Sequence, residues 1–269
     1  MARYNRQPKP HRRAESWLEL QEWLFSDSWQ PGLKRFRSPF AFRGTSNLRS
    51  GLRTSLARLG GDFASMEPHL LRNFRKYAMH DGVDQQTPWD WLALAKHHGL
   101  PTRLLDWTYS PYVALHFATN DVDVFNGDSI VWAVNYHEAQ HYLPDTLRRV
   151  LDAEGADVFT ADMLMQVATT LDAFDALADE PFVVFFEPPS LNPRIVNQYA
   201  LFSFMSSATA HMDEWLATHP ELCRGIVIPA ELKWEVRDKL DQANINERML
   251  FPGLDGLSRW LKRQYTPRK

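Results

Sequence analysis

Two helix-start signals of the same kind, Thr87-Pro88 and Ser110-Pro111, bracket the most constrained stretch of this 269-residue chain. In each pair a hydroxyl can cap the free amides of a first helical turn, and a proline brings a φ already set for a helix. The first helix carries Trp91, Leu92 and Leu94 and stops at Gly99; the second runs from Tyr112 to Thr119. Between them, His97 is followed by a connector that holds Arg103, Asp106, Trp107 and Thr108. Ordering such groups costs conformational entropy, and connectors on rigid scaffolds often carry function.

The flanking segments set the fold class. Ser16 and Glu19 form a capping box ahead of Trp17, Leu20, Trp23 and Leu24 on one helical face. Leu52, Leu56 and Leu59 suggest a helix ended by Gly60-Gly61, and another spans Glu67 to Met79. Phe40-Ala41-Phe42, SIVWAVNY at Ser129–Tyr136, PFVVFFE at Pro181–Glu187, Tyr199–Met205 and Gly225–Ile228 read as strands. Leu143 to Phe174 reads as mostly helical, and Ala230–Gln242 and Leu254–Tyr265 as C-terminal helices. Helices first, then strands alternating with helices, predict an α+β (mixed α/β) class, with a helical N-terminal part packed on a central sheet of about four to six strands.

Composition narrows the partners. A net charge of -3 gives no support for a globally basic nucleic-acid binder, although local patches remain open. The single cysteine, Cys223, excludes an internal disulfide, precedes an apolar run as a buried thiol would, and fits a reducing cytoplasm. The basic start MARYNRQPKPHRR has no apolar segment behind it and reads as a frayed tail. No run approaches the roughly 18 apolar residues that a membrane span needs. A cytoplasmic location without membrane association is the expectation.

Four segments together are similar to the FRG domain, a family named for a Phe-Arg-Gly motif. They are Phe42-Arg43-Gly44, the stretch HHGLPTRLLDWTYSPYVALHFA from His97 to Ala118, Pro193-Arg194-Ile195 with Gln198 and Phe202, and Leu250-Phe251-Pro252-Gly253-Leu254-Asp255-Gly256. The resemblance runs from about Phe40 to Leu261. It implies one FRG-type domain over 16–269 after a flexible tail at 1–15, with a helical subregion 45–99, a sheet-rich core 100–230 and C-terminal helices 230–265. It also implies a cytoplasmic effector, as in toxin or phage-defence systems, and a more distant likeness to ADP-ribosyltransferases with NAD as substrate. In that likeness Arg43, Gly44, Thr45, Arg103, Trp107, Thr108 and Ser110 bind the nucleotide, while His97, Asp106 and Gln198 carry the chemistry. The acceptor would be a nucleic acid or a protein, and partner proteins of a defence or toxin–antitoxin system are implied. The pattern departs from that likeness where Gln198 stands in place of the usual glutamate. Glutamine can hydrogen-bond a ribose hydroxyl but cannot serve as a carboxylate base.

Each candidate also has a plainer reading. Arg43 could pair with a carboxylate such as Asp106, and Arg103 could do the same. His97 and His98 sit where cations complement a helix dipole, and without HxxxH or CxxC spacing no metal is expected. Trp107 could be core, Thr108 and Ser110 a capping pair, and Gln198 a strand-edge amide. Glu187, at the end of PFVVFFE, is a further carboxylate for the same face. Two other functions stay open: a non-catalytic nucleotide- or partner-binding module, and a nuclease-like toxin using Asp106 and His97.

Overall fold

The computed structural model describes residues 11–80, 87–190 and 193–267. Among the described residues nine strands occur in chain order: β1 (Arg12–Arg13), β2 (Trp29–Gln30), β3 (Arg35–Phe36), β4 (Phe40–Thr45), β5 (Leu105–Thr108), β6 (Ser129–Asn135), β7 (Val183–Phe186), β8 (Ala200–Met205) and β9 (Cys223–Ile228). β2 and β3 form a separate antiparallel pair, and the other seven make one sheet in the order β1-β9-β6-β4-β5-β8-β7. Its pairings are antiparallel except β1 with β9. The class is mixed α+β, as the sequence predicts, but the sheet has seven strands instead of four to six. The additions, β1 and β5, are short strands of two and four residues. β1 is two arginines, and the Ala14 that follows is 1% exposed, so the end of the expected tail is built into the sheet. Residues 1–10 lie outside the described residues.

Alternation along the strands sorts side chains onto two faces. Phe42, Val131, Ala133, Ile226 and Ile228 meet the helices Trp17–Phe25, Pro111–Ala118 and Lys233–Gln242 in one cluster. Val184, Phe186, Phe202 and Phe204 meet the helix Pro88–His97 and the helical segment after β6 in a second. The register Phe42↔Thr108, Asp106↔Phe202 and Phe186↔Phe202 puts both clusters on the same side of the sheet. The other side buries Ala41, Leu105, Trp107, Ile130, Trp132 and Phe185 under the helix Met212–Thr218.

The segment Leu143–Phe174 is mostly helical, as expected, but divided, and the helix expected over Leu52–Leu59 is corrected. Leu143–Phe174 is three helices, Asp145–Glu154, Ala161–Val167 and Leu171–Asp175. Gly155, at φ +60, closes the first, and Phe159 then crosses as an isolated bridge to Phe186. Around Leu52–Leu59 only Ala57–Leu59 is helical, as a single 3-10 turn, while Leu52 and Leu56 are buried from irregular backbone.

Candidate functional site

The two clusters on the shared face leave a cleft of about 490 Å3 between them, over β5. Arg43, Gly44, Lys96, His97, Asp106, Thr108, Arg194 and Gln198 line it, together with Phe42, Phe117 and Phe202. β4 supplies Arg43, the end of the helix Pro88–His97 supplies Lys96 and His97, β5 supplies Asp106, and the short helix Pro193–Asn197 supplies Arg194.

Gly44 shapes the cleft through packing. A Cβ there would stand 1.8 Å from the Ala114 carbonyl oxygen and 2.6 Å from the Ala118 amide nitrogen. Its missing side chain lets the helix Pro111–Ala118 lie directly on β4, and that helix brings Phe117 to the wall.

β4 and β5 share one ladder pair, Phe42↔Thr108. By alternation Arg43 leaves β4 toward the opposite face, opposite Trp132. Its guanidinium nevertheless reaches Asp106, with Nη1 donating to the Asp106 carbonyl at 2.6 Å and lying 3.6 Å from Oδ2. Lys96 Nζ is closer to that carboxylate, 2.7 Å from Oδ2. The Arg43 side chain is 15% exposed and that of Asp106 is 54% exposed, open toward the cleft.

Electrostatics follow from this arrangement. Burial pushes the Asp106 carboxyl upward, but Lys96 and Arg43 outweigh it and hold the group below its usual 3.8. Burial lowers the Arg43 guanidinium, against the pull of Asp106. Burial also lowers His97 from 6.5, and Arg194 and His98 push the same way, so its imidazole is neutral near pH 7. Arg43 Nε is buried without a hydrogen-bond acceptor among the described residues, a cost of about 1–3 kcal/mol that a ligand oxygen could relieve.

Gln198 is held in place on both sides. Its side-chain Nε2 donates to the Leu250 carbonyl at 2.9 Å, and its backbone carbonyl accepts from Thr108 Oγ1 at 2.7 Å. Donation to a carbonyl fixes which end of the amide carries nitrogen, leaving Oε1 as an acceptor. Tyr199, the next residue, has a φ of +47, so the turn into β8 is bent to present Gln198.

Trp107 also lines the cleft, but the side chains of the remaining candidates are engaged elsewhere. Arg103 is buried away from Asp106, with Nε 2.7 Å from Glu67 Oε2 and Nη1 2.5 Å from Asp175 Oδ1. The Trp107 indole is 3% exposed on the far face of the sheet, donating to Ser203 Oγ at 2.8 Å. Ser110 caps its helix through Val113, and Thr45 Oγ1 meets the Asn47 carbonyl. Glu187 accepts from the Tyr109 hydroxyl at 2.8 Å and is absent from the cleft wall. Burial pushes the Cys223 thiol up to about 12. Lys96 and Arg194 were not singled out from the sequence, although Arg194 lies inside a quoted motif segment and Lys96 directly precedes one. Among the described residues no group of three or more His, Cys, Asp and Glu side chains is placed to hold a metal ion. No helix there is long and apolar enough to cross a membrane.

Residues 38–127 match the family model of the FRG domain. This stretch of the chain is an FRG domain. No curated protein and no solved structure matched the chain. The FRG match contributes Arg43, Gly44, Lys96, His97, Asp106 and Phe117 to the cleft, while Arg194, Gln198 and Phe202 come from beyond its end. The FRG segment therefore builds one wall of the cleft, and the later chain builds the other.

Proposed function

We propose that the cleft binds a phosphate-bearing nucleotide, with NAD as the first candidate, in an effector with ADP-ribosyltransferase-like chemistry. The supporting observation is that Arg43, His97 and Asp106, from three separate elements, and Gln198, from the turn before β8, line one cleft. Its volume falls within the roughly 300–1,000 Å3 of small-molecule sites. Three cations, Arg43, Lys96 and Arg194, face a single carboxylate, so the lining favours an anion.

In the reaction that this reading implies, the bond between nicotinamide nitrogen and ribose C1′ breaks and both electrons leave with neutral nicotinamide. An acceptor lone pair then bonds to C1′, and the acceptor's proton passes to the neutral His97 imidazole. The Asp106 carboxylate offsets positive charge developing on the ribose, and Gln198 Oε1 accepts a ribose hydroxyl. Incubation with labelled NAD and candidate RNA, DNA and protein acceptors tests the reading. Absence of transfer, of NAD cleavage and of an NAD-induced rise in Tm would remove it.

A second reading, nucleotide binding without turnover, draws on the double pairing of Asp106. With Lys96 and Arg43 both on it, that carboxylate has little basicity left. Under this reading Asp106→Asn leaves NAD affinity intact and no nicotinamide is released by either protein. Release by the wild type that Asp106→Asn abolishes decides for transfer.

A further inference from the structure

We infer that the diphosphate of the bound nucleotide is seated on a guanidinium–phenyl rim made by Arg194, Phe251 and Arg259, at the mouth of the cleft, and not on Arg43. The inference rests on the reading that the cleft takes a nucleotide, and it assigns residues to the phosphate end of that ligand.

The cations inside the cleft are already engaged. Arg43 Nη1 is spent on the Asp106 carbonyl, and Lys96 neutralises the Asp106 carboxylate at 2.7 Å. A diphosphate placed there would compete with Asp106 for both partners and bring its own negative charges against that carboxylate.

The rim gathers two guanidinium groups around one ring. Arg194 Cζ lies 4.9 Å from the Phe251 ring centroid and Arg259 Cζ lies 5.5 Å from the same centroid. Two like charges are thus held against one ring, and Arg259 forms no ion pair among the described residues. Burial lowers the Arg194 guanidinium from its usual value, and Arg259 adds to this while Asp106 opposes it. An anion between the two forks would relieve their repulsion, and a planar guanidinium matches phosphate oxygens two at a time. Arg194 also lines the cleft, and Phe117, another lining residue, packs edge-on against Phe251 with centroids 6.2 Å apart. The rim is therefore continuous with the cleft wall.

The rim is also fixed in position. A Cβ on Gly256 would lie 1.9 Å from the Phe251 carbonyl oxygen, so the helix Leu254–Gln264 rests directly on the Phe251 backbone. Arg259 is one turn along that helix. One turn further, Arg263 is 7% exposed and donates from Nε and Nη2 to Glu247, each at 2.8 Å. Glu247 also receives Arg237, and the Phe251 amide donates to the Glu247 carbonyl at 2.9 Å. This buried network sets Arg259 in place beside a ring whose position it also controls, which is the preorganisation a binding site needs.

Calorimetric titration of the full chain with NAD, ADP, inorganic pyrophosphate and adenosine tests the assignment. Arg194 and Arg259 are exposed, so their alanine variants should keep the wild-type Tm. Arg259→Ala and Arg194→Ala should each weaken ADP, pyrophosphate and NAD by about tenfold or more and leave adenosine unchanged. If neither variant changes ADP or NAD affinity while Arg43→Ala abolishes it, the rim assignment fails and the nucleotide reading stands. If pyrophosphate and ADP bind through the two arginines but NAD does not, the rim stands and the NAD reading falls. If the wild type binds none of the phosphorylated ligands, both fall.

Discussion

Lys96 Nζ stands 2.7 Å from Asp106 Oδ2, closer than Arg43 at 3.6 Å, which makes the lysine the nearer counter-ion of the cleft's carboxylate. Burial acts to raise that carboxyl, and the two cations reverse the effect. Its folded value is thus depressed, so the stabilisation is present above the unfolded value and disappears as pH falls through the folded one. Because half of the side chain is in water, Lys96→Met should cost only about 1 kcal/mol or less. Melting curves between about pH 5 and 3 should show a smaller acid loss of Tm in the variant than in the wild type. An unchanged acid profile would mean that Lys96 does not set the Asp106 charge.

Gly44→Ala tests whether the glycine of the Phe-Arg-Gly motif is there for a ligand or for the fold. The added methyl would meet backbone atoms of Ala114 and Ala118, which cannot rotate away. The cost should be about 3 kcal/mol or more in urea denaturation. Gly32→Ala, with nothing within 4 Å of the new atom, should change little. If Gly44→Ala keeps full stability and loses only ligand affinity, the packing account is wrong.

Much of this fold could be read from the sequence because its signals are local. The Thr87-Pro88 and Ser110-Pro111 starts produce helices at Pro88–His97 and Pro111–Ala118, both capped by the expected hydroxyl. β6, β7, β8 and β9 follow from their apolar runs. β5 escaped because Leu105-Asp106-Trp107-Thr108 alternates an apolar face with a face whose purpose is the cleft, so its polar residues mimic a connector. The site was legible only as a set of residues. That Arg43, His97, Asp106 and Gln198 meet could be suspected, but pairwise chemistry depends on distances that no spacing encodes. Arg103 is three positions from Asp106, yet it turns to Glu67 and Asp175. Lys96, at the end of the helix Pro88–His97, is instead the nearest counter-ion of Asp106.

Arg103 should therefore matter to stability and not directly to ligand chemistry. Its side chain is 6% exposed and that of Glu67 2%, so removing one partner strands a buried charge. Arg103→Ala should cost about 3–5 kcal/mol, whereas the paired change Arg103→Met with Glu67→Leu should cost much less. Denaturant midpoints of the single and double variants measure the difference. Equal losses in both would show that packing, and not the stranded carboxylate, dominates.

His116 provides a second acid sensitivity. It is fully buried, and Arg237 Nη1 lies 2.9 Å from its Nδ1. Burial first, then Arg237, push its pKa down to about 3. The unfolded chain takes up a proton near 6.5 that the native imidazole refuses, so stability falls as pH drops below that value. His116→Gln can still accept from Arg237 and has no such proton to gain. Between about pH 6.5 and 5 its urea midpoint should decline less than that of the wild type. Parallel declines would place the acid sensitivity elsewhere.

Gln198 bears on the question of transfer most directly, because the proposed ADP-ribosyltransferase-like reaction calls for an acid at that position. Its Nε2 donates to the Leu250 carbonyl at 2.9 Å, within a turn that is only partly exposed. An ionised glutamate there has no proton to give and would face the carbonyl oxygen with a negative charge. Gln198→Glu should lose about 1–3 kcal/mol at pH 7, with no gain in NAD cleavage. The carboxyl would regain a donor when protonated, so the difference in Tm between wild type and variant should shrink below about pH 5. A variant as stable as the wild type at neutral pH would show that the Leu250 contact does not hold the amide. A rise in nicotinamide release from the same variant would show instead that the position serves as the acid's seat, with glutamine there only to silence it.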